Sequence, residues 1–124
     1  MTTEAWIVSG GRVLASAQIA TNRTERRRGL LGRQTFDGAF VLPQCRCVHT
    51  IGMRFAVDIA FLDIDSRVTK IVSLPRFRLS APVLRAATVV EAQKGAFERW
   101  GVLVGDILEI RTMHDGDHGR KDFS

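Results

Sequence analysis

Apolar residues fall along the chain in short blocks, most with the period of a strand. Trp6-Ile7-Val8 runs into Ser9-Gly10-Gly11, and Val13, Ala15, Ala17 and Ile19 then share one face through Ala20. Two such runs around a glycine pair predict a hairpin. Thr21 to Leu31 carries the strongest helix signal. Thr21 or Thr24 can cap it, Arg23 and Arg27 lie one turn apart, and Gly32 can close it. Ala39-Phe40-Val41-Leu42 reads as a strand ended by Pro43, and Val57 to Leu62 as the most hydrophobic strand, with Asp58 embedded in it. Asp63-Ile64-Asp65-Ser66 has the side chains of a turn. Arg67 to Leu74 returns as a strand ended by Pro75, and residues 75–87 read as irregular. Thr88 to Ala92 and Ile107 to Thr112 are the last strands, with at most two helical turns over Lys94–Trp100 between them. The pattern predicts a mainly β, single-domain fold, a β-sandwich or distorted barrel with one or two short helices. Residues 1–113 are expected to form it, and 114–124 a flexible polar tail.

Composition adds limits. A chain of 124 residues supports one domain, and its 45% hydrophobic and 25% charged residues are ordinary for a globular protein. No apolar run approaches the roughly 20 residues that a membrane helix needs. The N-terminal Met1-Thr2-Thr3-Glu4-Ala5-Trp6 lacks the pattern of a signal peptide, so the expected compartment is the cytoplasm. Formal charge is +5, mostly from arginine. The arginines cluster only at 23–28 and 76–78, without a nucleic-acid-binding motif beside them, so a nucleic-acid partner is a minor alternative. Nothing in the sequence calls for a cofactor. A monomer or small homo-oligomer fits the size.

Candidate chemistry lies in a few positions. Cys45, Cys47 and His49 alternate, so on a strand all three project to one face. Cys45 and His49 would then lie about 13 Å apart, too far for one tetrahedral zinc without a bend. Free, inward-packed thiols are the simpler reading, and a metal site the weaker one. A nucleophilic Cys47 paired with His49 faces the same geometric objection and would need a cation such as Arg46 or Arg54 to lower the thiol pKa. Asp58 is the most informative residue. A carboxylate between Val57 and Ile59 cannot sit unpaired in a core, so it faces a polar pocket or pairs with an arginine such as Arg28, Arg33 or Arg54. Glu91 raises the same question more weakly, because it could point outward from a half-exposed strand. Asp63 and Asp65 lack the glycine and distal glutamate of a calcium loop and read as a turn.

Two segments together carry a family resemblance. Glu25-Arg26-Arg27-Arg28-Gly29-Leu30-Leu31-Gly32-Arg33 and Val57-Asp58-Ile59-Ala60-Phe61-Leu62-Asp63 resemble the motifs of the bacterial and archaeal family called domain of unknown function 192. His49-Thr50-Ile51-Gly52-Met53-Arg54-Phe55 resembles a variant of its central motif. The resemblance spans about residues 6–111 and implies a compact, mainly β domain with a short helix. It implies no activity, since the family has no agreed biochemical function. The positions it singles out are Arg26, Arg28, Gly29, Leu30, Arg33, His49, Thr50, Met53, Asp58 and Asp63. The chain departs where many relatives carry Trp-Met-Lys-Asn-Thr, at Ala56 where a proline is usual, and at Ser66 where the turn carries glycine. Many relatives are also exported.

These readings converge on a non-enzymatic binding module. Arg28, Arg33, His49, Thr50, Met53, Arg54 and Asp58 would line or brace a pocket for a small anionic ligand or a peptide segment. The alternative is an enzyme using Asp58 or His49 as acid–base and Cys47 as nucleophile.

Overall fold

The computed structural model describes residues 2–22, 37–44, 56–75, 83 and 85–112. Among the described residues, the strands are β1 (Thr2–Ser9), β2 (Arg12–Ala20), β3 (Ala39–Pro43), β4 (Val57–Leu62), β5 (Val68–Leu74), β6 (Thr88–Gln93) and β7 (Glu109–Thr112), with one short helix, α1 (Ala96–Trp100), before β7. The fold is mainly β, as expected. All seven strands form one sheet in the order β5-β4-β6-β3-β2-β1-β7. The helix expected over residues 21–31, the tail 114–124 and most of the irregular segment at 75–87 lie outside the described residues. Among the described residues, no helix is long and apolar enough to cross a membrane.

The β1–β2 hairpin turns through Gly10 and Gly11, whose φ angles of 60° and 77° are both positive, as a tight hairpin turn demands. Its register slips by one residue: Ile7 faces Ala15 while Val8 faces Val13. The extra residue, Leu14, packs against the core, and the slip carries Val13 to the opposite face, 58% exposed. The alternation of Val13 with Ala15, Ala17 and Ile19 expected from the sequence is therefore broken at its first member. β2 and β3 pair in parallel, which requires a crossover of a dozen or more residues, supplied by 21–38.

Both faces of the central strands are covered. One face carries Ala5, Ile7, Ala17, Val41, Ala60, Leu62, Val90 and Ala92, with Ala96 and Phe97 of α1, Val102 and Leu108 packed over it. The other carries Phe40, Leu42, Val57, Ile59, Phe61 and Val89. All six residues of β4 are buried, which explains why its sequence is apolar at every position but Asp58.

The sheet is not a closed barrel, although its two outer regions meet at one corner. Arg67, just before β5, bridges Ile107, just before β7. Around that bridge, Val68 N donates to Asp106 O at 2.8 Å, Gly105 N to Val68 O at 2.8 Å and Leu108 N to Ser66 O at 2.9 Å. The helix ends in a Schellman arrangement, with Gly101 at φ 73°, its N–H donating to Glu98 O, and Val102 N donating to Phe97 O.

Candidate functional site

Asp58 is the second residue of β4, flanked by Ser73 on β5 and Ala92 on β6. That register turns its side chain to the face covered by α1. It is 6% exposed, so its charge must be answered inside the protein. Ser73 Oγ donates to Oδ1 at 2.6 Å, and the Gly95 backbone N–H donates to Oδ2 at 2.8 Å. Gly95 is the N-cap of α1, in the left-handed region at φ 91° and with no side-chain cap of its own. A carboxylate from 37 residues earlier therefore serves a helix start that lacks a local cap. Lys94 N adds a bond to Ala56 O at 3.1 Å, so the turn before α1 is stitched to the start of β4 at two points. Among the described residues, the partners of Asp58 are a hydroxyl and a backbone amide; the candidate arginines Arg28, Arg33 and Arg54 lie outside the described residues.

Asp63 has a parallel role at the other end of β4. Its Oδ1 accepts from Asp65 N at 2.9 Å and Arg67 N at 3.0 Å, and its backbone oxygen accepts from Ser66 N at 3.0 Å. The turn reading holds, and Ser66 occupies it at φ 64°, a left-handed conformation that glycine adopts without strain. Of the two orientations open to Glu91, the structure shows the inward one. Glu91 is 2% exposed and lies on the opposite face from Asp58, between Ile59 of β4 and Phe40 of β3. Its Oε1 accepts no hydrogen bond among the described residues, although Glu91 is not without interactions of its own.

Beside the Asp58 corner lies a cleft of about 270 Å³ between β2, the entry to β3 and α1. Ser16, Asp37, Gln93, Arg99 and Trp100 supply its polar and aromatic groups. Gly38 shapes one wall. A Cβ there would stand 2.5 Å from Ser16 O, so only glycine lets the entry to β3 approach β2 this closely. Ala96 and Arg99 of α1 form the other, and Arg99 Nη1 lies 3.1 Å from where a Cβ on the preceding Gly95 would be. Trp100 is held edge-on to Phe97, ring centroids 5.7 Å apart at 67°. Asp37 and Arg99 line the same space and are both exposed, and no ion pair joins them.

Sequence reading singled out none of these cleft residues. They come from three separated elements, and the only local signal was a glycine beside each wall. Of the residues it did single out, Arg28, Arg33, His49, Thr50, Met53 and Arg54 lie outside the described residues, as do Cys45 and Cys47. Among the described residues, no three His, Cys, Asp or Glu side chains are grouped as a metal ion requires.

The family model of domain of unknown function 192, described as "Uncharacterized ACR", matches residues 5–110. The chain belongs to that family. Within it, the chain is 32% identical over 112 residues to the UPF0127 protein PF1050 of Pyrococcus furiosus, covering 86% of this chain and 97% of that one. Two crystal structures share the fold. A protein of unknown function from Novosphingobium aromaticivorans has a TM-score of 0.68 at 19% identity, covering 87% of this chain and 84% of its own. A putative transcription regulator from Sinorhizobium meliloti has a TM-score of 0.68 at 21% identity, covering 89% and 94%. Of the family's motif positions, the described residues include Asp58 and Asp63. Each is a carboxylate that receives backbone N–H groups, one at a helix start and one in a turn. At Ser66, where the family turn carries glycine, the backbone still takes the glycine-favoured conformation.

Proposed function

We propose that the chain is a binding module for a small polar molecule bearing an anionic group, seated in the cleft between β2, the entry to β3 and α1. The cleft itself carries the reading. Its volume of about 270 Å³ suits a metabolite-sized ligand, and its groups converge from different elements. Arg99 would hold the anionic group through its planar donor fork. Asp37, Ser16 and Gln93 would take the ligand's hydrogen-bonding groups, and Trp100 its apolar part. Asp58 acts one step behind, as the clamp that sets where α1 begins and so where Arg99 and Trp100 stand. A peptide end, with its free carboxylate, belongs to the same ligand class. Arg28, Arg33, His49, Thr50, Met53 and Arg54 remain candidate contacts or braces on sequence grounds.

The enzyme reading has less support, since Asp58 is buried and both its oxygens already accept hydrogen bonds. The nucleic-acid reading would use Arg23, Arg26, Arg27 and Arg76, and it gains nothing from the cleft.

The test is a panel of small carboxylates, phosphates and amino acids added to isotope-labelled protein and followed by NMR. Binders are expected to move the Trp100 indole and the Ser16, Gly38 and Gln93 amides. Arg99→Ala should weaken them about tenfold or more. Shifts mapping elsewhere, or full affinity in Arg99→Ala, would overturn the reading.

A further inference from the structure

We propose, building on the binding reading of the cleft, that its ligand is a free amino acid with an apolar side chain. It is held as the zwitterion, its carboxylate on Arg99 and its ammonium on Asp37. Both charges line one cleft, Asp37 at the entry to β3 and Arg99 on α1. They form no ion pair with each other, and among the described residues neither side chain has a hydrogen-bond partner. Each is left for whatever fills the cleft.

A close approach of backbone positions each charge. Asp37 precedes Gly38, whose φ of 89° and missing Cβ let the chain lie against Ser16. Ala39 then pairs with Ala17 of β2 and Ala92 of β6, so the backbone of Asp37 is anchored two residues before a central strand. Arg99 lies one turn after Gly95, and its N–H donates to Gly95 O at 3.1 Å. With Nη1 3.1 Å from the place of a Gly95 Cβ, the guanidinium folds back along α1 over that glycine.

Charge then chooses among ligands. A simple carboxylate satisfies Arg99 but is repelled by Asp37, and a simple amine has the reverse fault. A phosphate or a dicarboxylate brings still more negative charge to Asp37. A molecule bearing both an ammonium and a carboxylate answers both groups. The other lining groups suit the rest of an amino acid. Ser16 and Gln93 supply a hydroxyl and an amide for its charged end, and Leu14, Ala15, Ala96 and Trp100 an apolar surface for its side chain. Leu14 and Trp100 also pack against the core, which anchors that surface.

The test is NMR titration of the full chain with leucine, with isocaproate (leucine without its amino group) and with leucinamide, which lacks the carboxylate. Shifts are read at the Trp100 indole and the Ser16 and Gly38 amides. Leucine should bind about tenfold more tightly than either relative, and more tightly than aspartate. Asp37→Asn should weaken leucine about tenfold and strengthen isocaproate, opposite signs that a merely disturbed fold would not produce. Arg99→Ala should weaken both. If isocaproate or aspartate matches leucine, or Asp37→Asn leaves leucine unchanged or weakens both ligands alike, the zwitterion is wrong and the cleft still binds anions. Phosphate binding without amino-acid binding would overturn the proposal in the same way. If neither phosphate nor any of these compounds moves the cleft signals, the binding reading falls with it.

Discussion

The α1 corner and the β7 edge belong to the same sheet but use their charges in opposite ways. At the corner and the loops beside it, carboxylates are consumed by backbone amides. Asp58 takes the N–H of Gly95, Asp63 those of Asp65 and Arg67, and Asp106 that of Leu103 at 2.9 Å. At the edge, Glu109 and Arg111 answer each other on the surface and hold no backbone in place. Their surroundings decide the difference. A carboxylate beside an uncapped helix start or an open turn becomes part of the scaffold, whereas the one on the outer strand stays at the surface, paired with its neighbour.

Four substitutions break or sharpen that contrast. Asp58→Ala should have the largest effect, removing the acceptor of both Ser73 and Gly95 from a buried site and costing about 3 kcal/mol in urea unfolding. Ligand binding in the cleft should weaken with it, since Arg99 and Trp100 follow Gly95. Gly38→Ala comes next. Its Cβ would press on a backbone oxygen rather than a mobile side chain, so about 2 kcal/mol of destabilisation is expected on thermal melting, with the cleft wall displaced. Ser66→Gly should stabilise by about 0.5–1 kcal/mol, read from the urea midpoint at unchanged slope, by relieving the left-handed serine.

The smallest effect belongs to the edge. Hydrogen bonding from Arg111, with its charge, holds the Glu109 carboxyl below the ordinary glutamate range, while the slight burial opposes this. Its folded value being the lower one, the pair's contribution is present above the unfolded value and lost as pH falls through the folded one. NMR titration should find the Glu109 carboxyl returning to the ordinary range in Arg111→Gln. Overall stability should hardly change.

Much of the scaffold was legible in the sequence. The strands around Val57–Leu62 and Thr88–Ala92, the Gly10-Gly11 hairpin and the Asp63 turn were readable, because apolar period and turn chemistry are local signals. The slip at Leu14 was not, since one extra residue leaves the alternation on either side looking continuous. Asp58 was recognisable as a buried charge in need of partners. Its partners were not, because a hydroxyl on β5 and an amide after β6 meet it only once β4 lies between those strands. Glu91 stayed open between core and surface for a related reason: a five-residue run cannot reveal that both faces of β6 are covered. The cleft left no linear trace beyond two glycines.

The most direct measurement of the clamp is amide hydrogen exchange of Gly95 in the unaltered protein and in Asp58→Ala. A Gly95 amide bonded to Asp58 should be protected. In the variant that protection should collapse, together with that of Arg99 and Gly101, while the β1–β2 hairpin keeps its own. If Gly95 exchanges equally in both proteins, Asp58 does not hold the start of α1, and the link from the buried carboxylate to the cleft is wrong.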